Sequence, residues 1–333
     1  MALKALYFRQ HNGTVSEAFY QAVGDLPGLE LNEVRDWEAM GTEALVELIG
    51  AYDILLASRA PAIPDELAER PGRLKYICYL HGTMRKVIRL PIIRSDIQVT
   101  NWGDRSARGL AEGSLTLLLA VLKDLPRRIL AVRRGKGTGI RSVGGGLADT
   151  RVGVYGCGYG GREFVRLLAP FGSPIRIYDP YLEEILEGCR RVTTLRDLFT
   201  DSHAVVIHAG LTEETKGSVT RELLALLPDQ GIIINTARGA ILDQEALFDE
   251  LRSGRLRAGV DVLWPDELPP DHEARQWPNL IWTCHHFGGA PWPDTPSPNP
   301  ELRYRPFLEN IRAFVDGLPL KFLVDEERYS RMT

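Results

Sequence analysis

The sequence predicts an α/β protein with two open sheets, the second sheet's domain inserted into the chain of the first. Three observations predict it. Short β-prone runs alternate with apolar-periodic stretches along most of the 333 residues. A glycine-rich unit, RVGVYGCGYGGREFVRLLAPFGSPIRIYDP (Arg151–Pro180), opens a second alternation after a first set of strands is complete. Beyond the proline-rich PWPDTPSPNPE, Leu302–Phe314 reads as a helix that crosses back to the first domain.

In the first domain the predicted strands are Leu3–Phe8, Leu29–Leu31, Ile54–Ala57, Leu74–Tyr79 and Ile97–Thr100. Helical stretches fall near Val15–Val23, Thr42–Leu48 and Pro64–Glu69. Leu110–Ile129 is the longest helical candidate. Its LAEGSLTLLLAVLK is apolar nearly all round, which predicts burial between domains or in a subunit contact, and hence a homodimer. RRGKGTGIRSVGGG (Arg133–Gly146) reads as a solvated connector. Six further strands are expected at 151–155, 175–178, 204–208, 231–235, 257–261 and 280–283, in a doubly wound parallel sheet. The expected domains are residues 1–103 with 297–333, and residues 104–296.

Composition is that of a soluble globular chain, 44% apolar and 25% charged. The net charge of −4, with basic residues spread along the chain, argues against a nucleic-acid or anionic-membrane partner. MALKALYF is too short for a signal peptide, and no apolar run reaches membrane-spanning length. Four cysteines without paired spacing read as reduced thiols of a cytoplasmic protein. No metal site is expected.

The central unit is strand, tight turn, helix, strand, acid. Gly156 permits the turn, Gly158 lets backbone N–H groups approach a pyrophosphate, and Gly161 lets helix and strand pack closely. The phosphates would rest on the positive helix end. Asp179 stands where a carboxylate accepts from a ribose 2′-hydroxyl, and it would repel a 2′-phosphate. The cofactor expected is therefore NAD (NADH).

Ligands of such sheets bind at the carboxyl ends of strands. Arg238 follows one strand end, Asp261 and Asp266 another, His285 a third. Guanidinium clamps a carboxylate and lies against a carbonyl oxygen where negative charge develops. An imidazole with a carboxylate partner moves a proton.

VYGCGYGGREFVRLLAPFGSPIRIYDP, VVIHAGLTEETKGSV, GIIINTARGAILDQEAL, AGVDV and NLIWTCHHFGG together resemble the D-isomer-specific 2-hydroxyacid dehydrogenase family in order and spacing. LKYICYLHGT, VTNWGD and GLAEGSLTLLLA extend the likeness more loosely into the first domain. The resemblance implies a doubly wound parallel Rossmann cofactor domain inserted in a flavodoxin-like substrate domain. It also implies hydride transfer between NAD(H) and a small 2-keto/2-hydroxy acid. By the same resemblance Arg238 is the substrate-binding arginine, and His285 is the acid–base with Asp266 in its partner's register. Tyr159 and Gly160 face the pyrophosphate. His208, Ala209, Thr215 and Gly288 lie along the cofactor, with Thr236, Ala237, Arg238, Asp261 and His285 at its nicotinamide end. His81, Gly82 and Thr83 stand where backbone amides hold the substrate carboxylate, with Arg59 where some members place a second cation.

Several residues depart from the family pattern. The acid–base partner is usually glutamate followed by proline; here the register holds Asp266 and then Glu267, and either carboxylate is a candidate. Cys284 replaces the usual proline before the histidine. The substrate loop HGTMRK is bulkier and more basic; Arg59, His81, Arg85 and Lys86 suggest either a second anionic group on the substrate or a solvated basic face. Trp292 in the proline-rich insert walls the pocket or packs between domains. A second reading of the whole chain is an NAD-sensing scaffold or corepressor on the same fold. Formate or phosphite oxidation is a third.

Overall fold

The computed structural model describes residues 2–8, 17–35, 37–57, 62–82, 84–136, 145–283, 285 and 304–331. The chain divides into two compact units, Met1–Arg105 with Pro291–Thr333, and Ser106–Ala290.

In the first unit β1 (Leu3–Phe8), β2 (Leu29–Val34), β3 (Ile54–Ala57), β4 (Tyr76–Tyr79) and β5 (Gln98–Thr100) form a parallel sheet in the order β2-β1-β3-β4-β5. Side chains alternate between two cores, as a period of two requires. Ala5, Tyr7, Ile54, Leu56, Tyr76 and Cys78 share a cluster with Phe19 and Val23 of α1 (Glu17–Gly24) and with Phe307 and Ile311 of the helix Arg305–Val315. Leu6, Phe8, Leu55, Ala57, Ile77 and Tyr79 enter the other cluster with Leu45 and Ile49 of α2 (Thr42–Gly50), beside Ile92 of the short α3 (Leu90–Ile93). The late helix does return to this unit, stacking Phe314 on Tyr76 at 4.9 Å. The expected helix Pro64–Glu69 is only a 3₁₀ turn, Asp65–Ala68, with one buried side chain, Leu67; Pro64 and Pro71 leave no room for more.

The second unit carries a seven-stranded parallel sheet. Its strands are β6 (Val152–Tyr155), β7 (Ile175–Tyr178), β8 (Cys189–Arg191), β9 (Ala204–Ile207), β10 (Ile232–Asn235), β11 (Arg257–Val260) and β12 (Leu280–Trp282), in the order β12-β11-β10-β9-β6-β7-β8. Six were expected. The seventh, β8, has the sequence CRR with two exposed arginines, so no apolar alternation marks it; pairing with the edge of β7 makes it a strand. The strand order reverses at β6, which lies between β7 and β9 and so creates a crevice at its carboxyl end.

The long helix expected over 110–129 is two helices, α4 (Ala107–Leu122) and α5 (Leu125–Arg133). Asp124 between them is left-handed (φ 54°), and Pro126 lacks the N–H that a continuous helix needs. Arg257 of β11 donates to the Val121 carbonyl across this break. Leu117, Leu118 and Val121 of α4 enter the core with Val154, Val206 and Ile234, whereas α5 buries nothing. The remaining helices are α6 (Tyr159–Leu168), α7 (Leu195–Thr200), α8 (Arg221–Leu224) and α9 (Gln244–Arg252). Among the described residues no helix is long and apolar enough to cross a membrane.

Candidate active site

The crevice begins at Gly156, with φ +87°. A Cβ there would stand 2.5 Å from the Ala209 nitrogen, so the turn after β6 touches the loop after β9 backbone to backbone. A Cβ on Gly161 would lie 2.2 Å from the Gly156 carbonyl oxygen. Around Gly158, by contrast, no described atom lies within 4 Å of that position. The first turn of α6, with Tyr159 exposed and Gly160 beside it, therefore presents unsatisfied N–H groups to open space, a cradle for an anion. Asp179 at the end of β7 accepts from the Cys157 nitrogen (2.6 Å) and the Tyr181 nitrogen (2.8 Å), which aims its carboxylate at the glycine turn. Thr215 uses its hydroxyl internally, donating to the Gly210 carbonyl at 2.6 Å and closing the turn after β9.

His208 lies under this cradle, its ring 5.2 Å from that of Phe164 and its Nδ1 3.5 Å from the Cβ position of Gly160. Its Nε2 is shielded from solvent and has no hydrogen-bond partner among the described residues. An orphaned polar nitrogen beside an open glycine cradle fits a bound dinucleotide. Burial pushes the imidazole pKa down from 6.5 to about 4. Between those values the unfolded chain binds a proton and the folded chain does not, so stability is full above pH 6.5 and falls as pH drops toward 4. His208→Asn should remove on the order of 2–3 kcal/mol of that loss, read by denaturant unfolding at pH 7 and pH 4.5.

At the end of β10 the Asn235 side chain clamps its own turn. It accepts from the Ala237 nitrogen and donates to the Arg238 carbonyl, both at 3.0 Å. Arg238 is thereby held extended and half-buried, with Nη1 donating to the Ala237 carbonyl at 2.7 Å. Thr236 meets Ser114 of α4 at 2.7 Å, both buried. A Cβ on Gly239 would lie 2.1 Å from the Leu263 carbonyl oxygen, so the loops after β10 and β11 also touch through backbone. Gly239→Ala should cost about 2 kcal/mol or more, because only backbone can give way, and a fall in the thermal midpoint would measure it.

Asp261 after β11 is buried and accepts from the Thr283 hydroxyl (2.6 Å), while its carbonyl accepts from the His285 nitrogen (2.5 Å). His285 is held left-handed, φ +60°, and its Nδ1 stands 3.3 Å from Asp266 Oδ2. Burial lowers the Arg238 guanidinium pKa, and the negative charge of Asp266 opposes that shift. His285 and Asp266 thus come from separate loops to one hydrogen-bonded pair, with Arg238 at the end of the neighbouring strand β10. Of the two candidates, Asp266 makes the contact; Glu267 is exposed. Asn235 and Thr283 carry no role in the sequence reading, although polar residues at strand ends beside Arg238 and His285 were a usable signal.

In the first unit the His81 ring lies 5.8 Å from Tyr79 and 6.2 Å from Trp102. Gly82 is required, since a Cβ would lie 2.3 Å from Trp102 Nε1. The Gly82 carbonyl accepts from Asn101 Nδ2 (3.0 Å), and Asn101 Oδ1 accepts from Arg328 (2.9 Å). Arg85 does not support the expected second-anion patch. Its guanidinium donates to the Ser330 and Tyr329 carbonyls and stacks on the Tyr329 ring, satisfying a helix end instead. Arg59, Thr83, Cys284, Gly288 and Trp292 lie outside the described residues.

A family model described as D-isomer specific 2-hydroxyacid dehydrogenase, NAD binding domain, matches residues 115–286. The chain belongs to this dehydrogenase family. Its second unit is therefore the NAD-binding Rossmann domain. The chain is 30% identical over 253 residues to a hydroxypyruvate reductase from Thermotoga maritima, covering 74% of this chain and 82% of that one. It is 29% identical over 259 residues to a D-3-phosphoglycerate dehydrogenase from Methanocaldococcus jannaschii, covering 77% of this chain but about half (49%) of the relative. Among solved structures, the D-isomer specific 2-hydroxyacid dehydrogenase from Xanthobacter autotrophicus Py2, in complex with NADPH and MES, superposes with a TM-score of 0.76. It is 26% identical, and the match covers 98% of this chain and 100% of that one.

Proposed function

We propose that this dehydrogenase reduces a small 2-keto acid to its D-2-hydroxy acid with NADH. The observation that carries the proposal is the pairing of His285 Nδ1 with Asp266 Oδ2 at 3.3 Å, with Arg238 held half-buried at the end of β10. NADH, when bound, would supply the hydride for the carbonyl group. Arg238 binds the substrate carboxylate and stabilises the negative charge that develops on the carbonyl oxygen. Asp266 accepts at Nδ1 of His285, which fixes the ring and leaves Nε2 to deliver a proton to the new alkoxide. Gly156, Gly158, Tyr159, Gly160, Gly161, His208, Ala209 and Asp179 hold the dinucleotide, with Thr236, Ala237 and Asp261 toward the nicotinamide. His81, Gly82, Thr83 and Arg59 are assigned to the substrate on resemblance.

Because Arg85 is engaged by the C-terminal helix, acids without a second charge are favoured. Glyoxylate and hydroxypyruvate, for which relatives are named, come before phosphonopyruvate. A spectrophotometric screen of NADH oxidation with glyoxylate, pyruvate, hydroxypyruvate, phenylpyruvate and phosphonopyruvate tests this. Turnover with an uncharged-tail acid is expected. Tight NADH binding without turnover on any of them would favour the scaffold reading.

We also infer a cytoplasmic homodimer. Cys78, Cys157 and Cys189 are free thiols, and α5 leaves Leu125, Ile129 and Val132 exposed, an apolar surface suited to a second copy. Sedimentation equilibrium would test the pairing; a monomer at micromolar concentration would reject it.

A further inference from the structure

The adenosine end of the site holds a second carboxylate besides Asp179. Tyr181, two residues beyond Asp179, donates its backbone N–H to Asp179 Oδ1 (2.8 Å) and its phenolic O–H to Glu214 Oε2 (3.1 Å). One residue thus holds both acids. Glu214 lies on the loop after β9, and Asp179 ends β7. These strands flank β6 on either side, roughly 10 Å apart at ordinary strand spacing, and Tyr181 and Glu214 together bridge the loops that follow them.

The Glu214 loop is a built turn. Thr215 Oγ1 accepts from the Thr212 nitrogen (2.8 Å) and donates to the Gly210 carbonyl (2.6 Å), the Thr215 nitrogen donates back to Thr212 Oγ1 (3.2 Å), and the Lys216 nitrogen donates to the Thr212 carbonyl (2.9 Å). Tyr181 is about half exposed (52%), with its backbone N–H on Asp179 and its phenolic O–H on Glu214. Of the two arginines on β8, Arg191 is engaged by the Leu182 and Glu183 carbonyls.

We propose that Glu214, held in place by Tyr181, is a specificity-determining residue that excludes the 2′-phosphate of NADP. A 2′-hydroxyl is neutral and is satisfied by Asp179 alone. A 2′-phosphate, close to doubly charged, would meet a carboxylate from each side. Both acids lie near solvent, so the repulsion is moderate and sensitive to salt. The proposal rests on Asp179 marking the ribose.

The test is direct titration of the cofactor-free protein with NADH and NADPH, followed by fluorescence, for wild type, Glu214→Gln, Tyr181→Phe and Asp179→Asn. Glu214→Gln should tighten NADPH by about three- to tenfold and leave NADH within about twofold. That gain should shrink in about 0.5 M salt, a dependence that a structural defect would not show. Tyr181→Phe should give part of the same gain, because Glu214 loses its anchor. Asp179→Asn alone should still prefer NADH. An unchanged NADH-to-NADPH ratio in Glu214→Gln, with NADH still bound, would overturn the role of Glu214 and leave the cofactor site standing. A wild-type protein that binds neither nucleotide would overturn both.

Discussion

Replacing His285 with alanine is expected to lower turnover by about a hundred- to ten-thousandfold while NADH affinity changes little. The size follows from the role: a positioned acid that protonates an alkoxide as it forms is replaced by water, which must be recruited and oriented. The selectivity follows from the geometry. His285 is an exposed side chain whose contact is Asp266 Oδ2, and its ring is not part of the glycine cradle. Its removal should therefore spare nucleotide binding and stability. Asp266→Asn should lie between wild type and His285→Ala, since an amide can still occupy the position at 3.3 Å but can present its NH₂ to Nδ1 and disfavour the productive tautomer. The measurement is single-turnover NADH oxidation with the best substrate of the screen. Full turnover by His285→Ala would remove the acid–base assignment.

The second large effect is expected at Arg238. Arg238→Lys should lower kcat/KM by about a hundredfold or more, because a planar fork that pairs with a carboxylate becomes a single mobile ammonium. The loss should appear in both KM and kcat, since the same guanidinium binds the ground-state carboxylate and meets the charge growing on the carbonyl oxygen. Arg238 is held by its backbone: Asn235 clamps the turn, and Nη1 donates to the neighbouring Ala237 carbonyl. Lysine can keep the charge near Asp266 but not that geometry. NADH titration and the thermal midpoint, both expected to stay near wild type, separate lost recognition from unfolding. A substitution that left kcat/KM intact would show that the substrate carboxylate is held elsewhere.

How much of this was legible in the residues differs from place to place. Most strands of both sheets announce themselves because buried parallel strands are short, continuous apolar runs such as Ile232–Ile234. The glycine turn is legible because Gly156 and Gly161 are sterically obligatory, one at φ +87° and the other where a Cβ would lie 2.2 Å from a carbonyl oxygen. The edge strand β8 was not legible, since CRR becomes a strand only through its neighbour. Nor was the break after α4: apolar periodicity runs through Leu125 and Ile129, and only the left-handed Asp124, the proline and the buried Arg257 separate the two helices. The partners of Arg85 were hidden for a similar reason. A cation near a substrate loop looks available until the carbonyls of a distant helix end are found against it.

By itself the sequence determined the two-sheet architecture, the dinucleotide cradle and the family, and it singled out Arg238, Asp179 and His285 as the candidate residues. These are local facts: strand composition, glycine spacing, and which residue follows which strand. The tertiary structure decided who meets whom. It set Asp266 rather than Glu267 against His285, clamped the turn that holds Arg238 with the Asn235 side chain, left His208 Nε2 without a partner among the described residues, and joined Glu214 to Asp179 through Tyr181. The reason is that a parallel sheet gathers strand ends from residues far apart in the chain. The ångström-scale choice between neighbouring side chains there depends on loop backbones such as the left-handed His285, which no spacing rule encodes.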